Sequence, residues 1–367
     1  MSDEANTPEE ETQEGKTSPF MAGLRVLGGA ALLLLAAYAT AAAIFLAVPE
    51  SNDYSLGSGL KHDRLESLDS PKIVLVGGSN LAFGIDSAMI QEATGCPVVN
   101  MGMNGYFGIR FMQSEVRPSI REGDIVVQAF ELDNFFKSVD GTATNLMVVA
   151  KWNPRVWNYL TPRQQLAILE RVPYAAQFKI LRISREAVDV LRVMLTGPDE
   201  GSYGRDLVTS IESFEGFNQY GDLESHLGVP WTEEREQGIV SADASGIETQ
   251  AIDLLQEFSV EMEARGAHVL TSYTPVLQDF YVEHEALLTE LHRQIAGRAG
   301  IHAPSSISRF VFPSEDFFDT VYHLDAEGRA MRTQRLIEDL RAQFGEAVQC
   351  DGAQLVVQQD GPGFRAQ

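Results

Sequence analysis

A short apolar run that ends abruptly in small residues constrains the fold of this chain more than any other stretch. Residues 73–76 read Ile-Val-Leu-Val, and four mostly β-branched apolar residues in a row predict a strand buried on both faces. Gly77 and Gly78 end the run, and Ser79 and Asn80 follow. Because ligands of open α/β sheets bind beyond the carboxyl ends of the strands, Ser79 lies in a candidate binding crevice. The alternative is a plain strand-to-helix turn.

Further apolar runs alternate with helical patterns along the chain. Later strands are predicted within residues 96–105, 123–131 and 267–274, with a last short strand in residues 301–307. Helices are predicted over residues 87–94, 108–120, 247–265 and 281–297, followed by a final helix that Asp325 caps and Gly345 ends. This alternation predicts a doubly wound parallel α/β sheet over residues 71–345.

The alternation is interrupted by an insertion at residues 135–246. Residues 150–196 carry apolar side chains at helical spacing, which predicts helices. Residues 197–245 form a long, loop-rich stretch, and such a stretch inside a domain is usually a lid, a cap or a binding loop. A disordered insertion is the alternative. The stretch is rich in Gly, Asp, Glu and Ser but also contains the aromatic residues Phe214, Phe217, Tyr220 and Trp231.

The N-terminal part of the chain carries a membrane signal. Residues 1–21 are mostly polar and acidic, which predicts a disordered tail. Residues 26–48 contain no charge and are dominated by Leu, Ala, Val and Ile, so a membrane-spanning helix is predicted over residues 22–48. A signal peptide cleaved near the alanines at 41–43 is the alternative. The length of the run and the acidic segment before it favour an uncleaved helix.

The charges that flank this helix predict its orientation. By the positive-inside rule, the N-terminus is cytoplasmic and the remainder of the chain lies outside. Residues 49–70 have the composition of a linker, and residues 346–367 form an uninformative tail. The flanking charges are Lys16 and Arg25 before the helix and Glu50 and Asp53 after it.

The overall charge excludes one class of partner. The chain has 52 acidic and 28 basic residues, a formal net charge of -24. Such a chain repels phosphate backbones, so nucleic acid is not an expected partner. Cys96 and Cys350 lack the spacing of zinc ligands, and neither a metal nor a cofactor is predicted. The two cysteines are expected to pair only if the domain lies in an oxidising compartment.

A nucleophilic serine needs a base from elsewhere in the chain. His323 is the best candidate, since it lies within residues 319–324, just before the final helix. Imidazole has the ordinary pKa that a general base requires near neutral pH. His226 in the insertion is a weaker candidate for a residue that lines the same crevice. The remaining histidines are expected to be surface or packing residues: His62, His268, His284, His292 and His302.

Together these motifs resemble those of the SGNH/GDSL hydrolase superfamily, over about residues 71–345. The tripeptide at 78–80, Gly-Ser-Asn, occupies the place of the family's Gly-Asp-Ser. In residues 100–105, Asn-Met-Gly-Met-Asn-Gly, Gly105 corresponds to the glycine of the second block. The resemblance implies a flavodoxin-like, three-layer α/β/α fold.

The resemblance also implies serine-based acyl chemistry. Ser79 would be the nucleophile, His323 its base, and Asp319 the acid that orients the imidazole. Backbone N–H groups of Ser79 and Gly105 would stabilise the tetrahedral oxyanion. The further residues expected in oxyanion or substrate binding are Gly78, Asn80, Asn104, Asn134 and Glu131.

Two departures from the family pattern stand out. The third block of the family contains Gly-x-Asn-Asp, whereas residues 130–134 read Phe-Glu-Leu-Asp-Asn, so that Asn134 is the candidate for the family's asparagine. The family's acid lies three residues before the histidine, at the position of Thr320, whereas Asp319 is one residue further back. Asp316 is the reserve candidate for the acid.

The members most similar in organisation are membrane-anchored and linked to acylation of cell-surface polymers. The chain is thus expected to be an extracytoplasmic acyltransferase or esterase handling O-acetyl groups, with the membrane and a cell-surface glycan or other ester as partners. One alternative is a catalytically inactive SGNH fold that binds glycan or scaffolds a membrane-bound acyltransferase. A lipase or thioesterase is the other alternative, although the acidic insertion is unlike an apolar lid.

Overall fold

The computed structural model describes residues 19–50, 53–197, 211–229, 246–345 and 350. The chain divides into two compact units. One consists of Met1–Pro49 and Val172–Thr196, and the other of Glu50–Arg171 and Gly197–Gln367. The predicted site residues all belong to the second unit, which is described first.

The second unit is built on a parallel four-stranded sheet with the strand order β2-β1-β3-β4. β1 lies in the interior, with Ile73 opposite Val98 on one side and Ile125 on the other. Every residue of β1, β2 and β3 is buried, as the uninterrupted apolar runs predict. The strands are β1 (Ile73–Gly77), β2 (Val98–Asn100), β3 (Ile125–Ala129) and β4 (His268–Thr271).

Helices connect these strands. Asp86 and Asp325 cap α4 and α10, because each carboxylate accepts a hydrogen bond from a backbone N–H of the first turn. The α-helices in the described residues are α1 (Pro19–Ala47), α2 (Gly57–Ser67), α3 (Ser79–Gly84), α4 (Ser87–Thr94), α5 (Ile109–Val116), α6 (Ala143–Trp152), α7 (Pro162–Thr196), α8 (Thr249–Ala264), α9 (Gln278–Ala296) and α10 (Ala326–Phe344).

Two groups of helices cover the sheet. α5 and α8 contact each other, and they pack on β1 and β4 respectively. α10 contacts both α3 and α4, which pack on β1 and β2. Between sheet and helices lies a core of fully buried residues that includes Leu75, Val127 and Leu336. The prediction of a mixed α/β fold with a parallel sheet is confirmed.

A second, two-stranded parallel sheet pairs β5 (Val276–Leu277) with β6 (Val311–Phe312). The short strand predicted in residues 301–307 is therefore displaced toward the C-terminus. Residues 301–306 make only one ladder-like contact, in which the Thr271 N–H donates to the carbonyl of His302 at 2.8 Å. Pro304 follows and has no N–H to donate, which limits strand pairing there.

Within the predicted linker at residues 49–70, residues 53–70 belong to the second unit. It contains α2 and a 3₁₀ helix over Tyr54–Leu56. Its small residues serve packing, since a Cβ at Gly57 would lie 2.4 Å from the ring of Phe217. Gly- and Ser-rich composition is typical of linkers, but here it allows close contact between helix and loop.

The described part of the insertion is also integrated into the core. Asp222 is fully buried and accepts hydrogen bonds from the Ser87 N–H at 2.9 Å and hydroxyl at 2.6 Å, and from Asn100 at 2.8 Å. Arg329 pairs with the same carboxylate at 3.2 Å. Residues 211–229 therefore bridge β2, α4 and α10, whereas the sequence predicted a lid, cap or binding loop. Trp231 lies outside the described residues.

The first unit contains α1 and the C-terminal part of α7. Residues Gly23–Ala47 form a helix of mean hydropathy 2.2, long and apolar enough to cross a membrane, a property that signal sequences share. Lys179 donates to the carbonyl of Val48 at 2.8 Å, and Arg182 to that of Pro49 at 2.6 Å. Of the tails predicted at residues 1–21 and 346–367, residues 1–18, 346–349 and 351–367 lie outside the described residues, whereas residues 19–21 belong to α1.

Cys96 and Cys350 form a disulfide bond. Cys96 is fully buried at the start of the segment that leads into β2. The bond therefore fastens the chain beyond α10 to this side of the sheet.

Candidate active site

A cavity of about 850 Å³ lies beyond the carboxyl ends of β1 and β3. Strand order changes direction between these two strands, which is where open α/β sheets bind ligands. Ser79, Gly105, Glu131, Asn134 and His323 all line it, so residues from four separate parts of the chain meet there. Aromatic residues contribute further walls: Tyr54, Phe83, Tyr106, Phe107 and Tyr322.

The two glycines after β1 allow neighbouring groups to approach the backbone. A Cβ at Gly77 would lie 2.0 Å from the carbonyl oxygen of Ala129 at the end of β3. A Cβ at Gly78 would lie 2.2 Å from a carboxylate oxygen of Glu131. No side chain fits at either position, so the glycines bring Ser79, the first residue of α3, to the cavity wall.

His323 and Asp319 face each other across a tight loop. The N–H of Phe318 donates to the carbonyl of His323 at 2.8 Å, and Phe317 and Leu324 form an antiparallel bridge. This pairing places Asp319 Oδ1 2.7 Å from His323 Nδ1. This loop therefore allows the acid to lie four residues before the histidine, whereas the family's acid lies three residues before it.

The two candidate acids have opposite environments. Burial disfavours the ionised form of Asp319, but the hydrogen bond and charge of His323 outweigh it and lower the pKa of Asp319. Burial raises the pKa of Asp316, and neighbouring carboxylates add to that shift. The structure places Asp319, and not Asp316, against the imidazole.

Two aromatic groups fix the plane of the His323 ring. The ring of Phe83 stacks on it, with centroids 3.7 Å apart and planes inclined by 2°. His226 lies on Phe83 with centroids 4.8 Å apart, and its Nε2 is 3.1 Å from the carbonyl of Leu324. Burial lowers the pKa of His226 to about 4, so this ring is neutral near pH 7. His226 thus supports the histidine loop from behind and does not line the cavity.

Asn80 supports the turn from inside the protein. Its side chain is fully buried, donates to the carbonyl of Ala129 at 3.0 Å and accepts from Arg332 at 2.7 Å. Arg332, also buried, reaches the carbonyl of Tyr273 at 3.1 Å. The amide of Asn80 is therefore turned away from the cavity, although the resemblance implied a role for it in oxyanion or substrate binding.

Asn104, Gly105 and Asn134 all line the cavity. Asn104 Oδ1 accepts from the N–H of Tyr106 at 2.8 Å and so caps a 3₁₀ helix that begins at Gly105. Asn134 lies in the 3₁₀ helix that follows β3, where its N–H donates to the carbonyl of Glu131 at 2.9 Å. The three residues are therefore positioned by local turns at the cavity wall.

The carboxyl of Glu131 lies between the two oxyanion candidates. Its Oε1 accepts from the N–H of Asn80 at 3.0 Å. A Cβ at Gly105 would lie 2.8 Å from Oε2, which places the carboxyl against that glycine as well as against Gly78. Burial raises the pKa of Glu131, and the hydrogen bonds from Asn80 reduce this shift without cancelling it.

Sequence reasoning missed several residues that shape this site. Tyr54 comes from the presumed linker and donates its hydroxyl hydrogen to the carbonyl of Met103 at 2.8 Å. Phe83 and Arg332 lie on α3 and α10, where their spacing predicts only packing. An arginine on the buried face of α10, one turn from the apolar Leu336, was the available signal for a buried polar network.

The site combines a hydroxyl, an imidazole and a carboxylate, which are the three groups that acyl transfer through a serine uses. The described hydrogen bonds include none between the Ser79 hydroxyl and His323, a contact that in unliganded sites often tightens only with substrate. The described residues contain no cluster of His, Cys, Asp or Glu suited to a metal ion.

Comparisons with known proteins add a distant structural similarity. No protein-family model matches the chain, and no curated protein matches its sequence. Among solved structures, the chain is similar to an acetyl xylan esterase, Est2A, from the rumen bacterium Butyrivibrio proteoclasticus. The TM-score is 0.31 and the identity 10%, and the match covers 76% of this chain and 66%, just under two thirds, of that chain. A similarity of this size assigns neither a family nor an activity.

Proposed function

We propose that this protein is an SGNH-type serine acyltransferase or esterase in which Ser79 forms the acyl-enzyme. One observation carries the proposal: Ser79 and His323 line the same cavity at the carboxyl edge of a parallel sheet, and His323 is hydrogen-bonded to Asp319. Nucleophile, base and orienting acid thus come together from the two ends of the domain, 240 or more residues apart in sequence.

The chemistry follows the usual requirements of acyl transfer. His323 accepts the hydroxyl proton as Ser79 Oγ attacks the carbonyl carbon, and Asp319 stabilises the imidazolium through Nδ1. His323 then returns the proton to the leaving alkoxide. An acceptor hydroxyl or water releases the acyl group from Ser79 by the same steps in reverse order.

The shape and lining of the cavity favour a carbohydrate ester as substrate. Its volume of about 850 Å³ accommodates a sugar ring with its acyl group. Tyr54 and Tyr106 offer aromatic faces, and Asn104, Thr142 and Asn145 offer hydrogen-bonding groups along the wall. We therefore favour an O-acetyl group on a cell-surface polysaccharide over a lipid chain.

The proposed location is outside the cytoplasmic membrane, with α1 as the anchor. The uncharged helix Gly23–Ala47 and the disulfide Cys96–Cys350 support this location together, because disulfides persist in oxidising compartments. α7 also carries exposed apolar residues beyond its contact with Val48, such as Leu191 and Met194. Exposed apolar side chains of this kind are favourable next to a lipid bilayer.

A second candidate is a non-catalytic SGNH fold that binds glycan or holds a membrane-bound acyltransferase. The position of Glu131 favours it, because an ionised carboxylate beside Gly78 and Gly105 would repel a developing oxyanion. The two candidates differ in whether Ser79 is chemically activated.

Labelling with a fluorophosphonate probe tests the proposal. The wild-type protein should be labelled at Ser79, and His323→Ala should abolish the label because it removes the base. Ser67→Ala, which changes a serine at the exposed end of α2, serves as the matched control and should label like wild type. Folded wild-type protein without label would instead favour the non-catalytic candidate.

A further inference from the structure

Glu131 is a buried acid in an unusual place. It lies two residues after Ala129, the last residue of β3, is 3% exposed, and contributes to the wall of the cavity. Its Oε1 is occupied by the N–H of Asn80, whereas Oε2 is buried without a hydrogen-bond partner among the described residues. Burying a carboxylate oxygen without a hydrogen-bond donor costs free energy. Oε2 therefore has to carry a proton or to contact a bound ligand.

The surroundings favour the neutral form of this acid. Burial is the largest influence and raises the pKa of Glu131. The positive charges that face it are Arg332 on α10 and His323 when protonated, and they act in the opposite direction. Tyr54 and Tyr322 lie on its other sides, and because burial raises the pKa of both phenols, they stay neutral over the working pH range.

Oε2 lies beside the expected oxyanion site, next to both Gly78 and Gly105. The backbone of Gly105, whose N–H is the expected second oxyanion donor, passes directly against this oxygen. Ser79 follows Gly78, where a Cβ would lie 2.2 Å from Oε1 and 2.3 Å from Oε2 of the same carboxyl. A group at Oε2 therefore lies near the space between the proposed nucleophile, Ser79, and Gly105. In the family, the asparagine of the third block is expected to donate to an oxyanion in this space.

We propose that Glu131 acts as a neutral carboxylic acid whose Oε2–H donates a hydrogen bond to the oxyanion formed on acyl transfer to Ser79. A carboxylic acid that an apolar site keeps neutral is able to make such a donation at neutral pH. The inference rests on the proposed function, since it needs an acyl-Ser79 intermediate.

The step balances without a co-reactant. Ser79 Oγ bonds to the carbonyl carbon, the hydroxyl proton moves to His323, and the carbonyl π-electrons move onto oxygen. Glu131 keeps its proton and shares it as a hydrogen bond with that oxygen. When the carbon–oxygen double bond re-forms, the leaving alkoxide takes the proton from His323 and the bond to Glu131 weakens.

This role predicts a characteristic pH profile. Turnover requires protonated Glu131, so it falls with increasing pH as Glu131 ionises. In Glu131→Gln the amide replaces Oε2–H with an N–H donor that does not ionise, while its oxygen still accepts from Asn80. The alkaline fall should therefore disappear in this variant.

The experiment measures kcat against pH with an activated acetyl ester for the full-length wild type, Glu131→Gln, Glu131→Ala and Glu257→Ala. Glu131→Ala should lower kcat by about 100- to 1,000-fold, as removal of one oxyanion donor does, and Glu131→Gln should recover most of this loss. Glu257 is an exposed glutamate on α8 and provides the matched control.

Fluorophosphonate labelling of the same samples separates the two claims. A labelled wild type whose kcat is unchanged in Glu131→Ala, or whose alkaline fall persists in Glu131→Gln, would overturn the role of Glu131 alone. An unlabelled, folded wild type would overturn the proposed function itself. Circular dichroism establishes that each variant is folded, and if Glu131→Ala is unfolded, the pH profile of Glu131→Gln decides.

Discussion

The imidazole of His323 lies flat on the ring of Phe83, with centroids 3.7 Å apart and planes inclined by 2°. Phe83 belongs to α3, the helix that begins with Ser79. The base is thus held by the same helix that carries the proposed nucleophile. This contact couples the position of the histidine loop to that of α3.

Removing the aromatic ring should reduce turnover more than it reduces folding. In Phe83→Leu the imidazole loses its flat support, and we expect kcat to fall by about 10- to 100-fold because small displacements of a base are costly. Phe258→Leu on α8 is the control, since Phe258 is equally buried but distant from the cavity lining. Equal loss of kcat in both variants, measured with the same ester, would show that the effect is only structural.

The choice of acid is tested by exchanging each carboxylate for an amide. Asp319→Asn leaves the geometry but favours the wrong imidazole tautomer, and we expect a loss of kcat of about 10⁴-fold by analogy with serine hydrolases. Asp316→Asn should retain turnover close to that of wild type, because the carboxylate that accepts the hydrogen bond of His323 Nδ1 is Asp319. The reverse order of losses in steady-state kinetics would assign the acid to Asp316.

Lys61 should make folding stability depend on pH. It is fully buried, donates to the carbonyl of Asn100 at 2.8 Å, and burial lowers its pKa to about 7, although Asp222 and Glu115 oppose this shift. An unfolded lysine has a pKa of about 10.4, so between these values the unfolded state binds more protons and the free energy of unfolding rises with pH. The penalty is fully present below pH 7 and is relieved as pH increases.

Urea unfolding between about pH 7.5 and about pH 9.5 measures this slope, which from Lys61 alone is at most about 1.4 kcal/mol per pH unit. Lys61→Met should lose that part of the slope. Lys137→Met, which removes a half-exposed lysine, should keep it. Identical slopes in wild type and Lys61→Met would show that Lys61 stays charged in the folded protein.

Topology is tested by reporters fused after Gly345, where α10 ends. With α1 as an uncleaved anchor, an alkaline phosphatase fusion should be active and a fluorescent protein that folds only in the cytoplasm should be dark. N-terminal sequencing of the membrane fraction separates anchor from signal peptide. A mature N-terminus near Ala47 would contradict the anchor, and a bright cytoplasmic reporter would contradict the orientation.

The sheet was predictable from sequence because its determinants are local. Residues 73–76 and 125–127 are apolar runs typical of strands buried on both faces, and Asp325 marks the start of α10 by capping it. The proximity of Ser79 and His323 was an expectation from the resemblance to the SGNH/GDSL superfamily and not from the pattern of strands. Their pairing with Asp319 depends on the loop between Phe317 and Leu324, which no local pattern specifies.

Other parts of the site depend on contacts between distant segments and were not predictable in the same way. Tyr54 appeared to belong to a linker, because Gly57 and its neighbours are small for packing reasons that the sequence does not reveal. The location of the Glu131 carboxyl follows from the adjacency of β1 and β3 and from the absence of side chains at Gly78 and Gly105. Only the fold shows that these three residues meet.

The central claim is that Ser79 becomes acylated, and intact-mass spectrometry tests it most directly. The full-length protein is mixed with an activated acetyl ester, quenched in acid at short times, and mapped by peptide fragmentation. We predict one acetyl group per chain, located on Ser79, present in wild type and absent in Ser79→Ala and His323→Ala. Folded wild-type protein that consumes the ester without an adduct on Ser79, or that carries the acetyl group on another residue, would contradict the account.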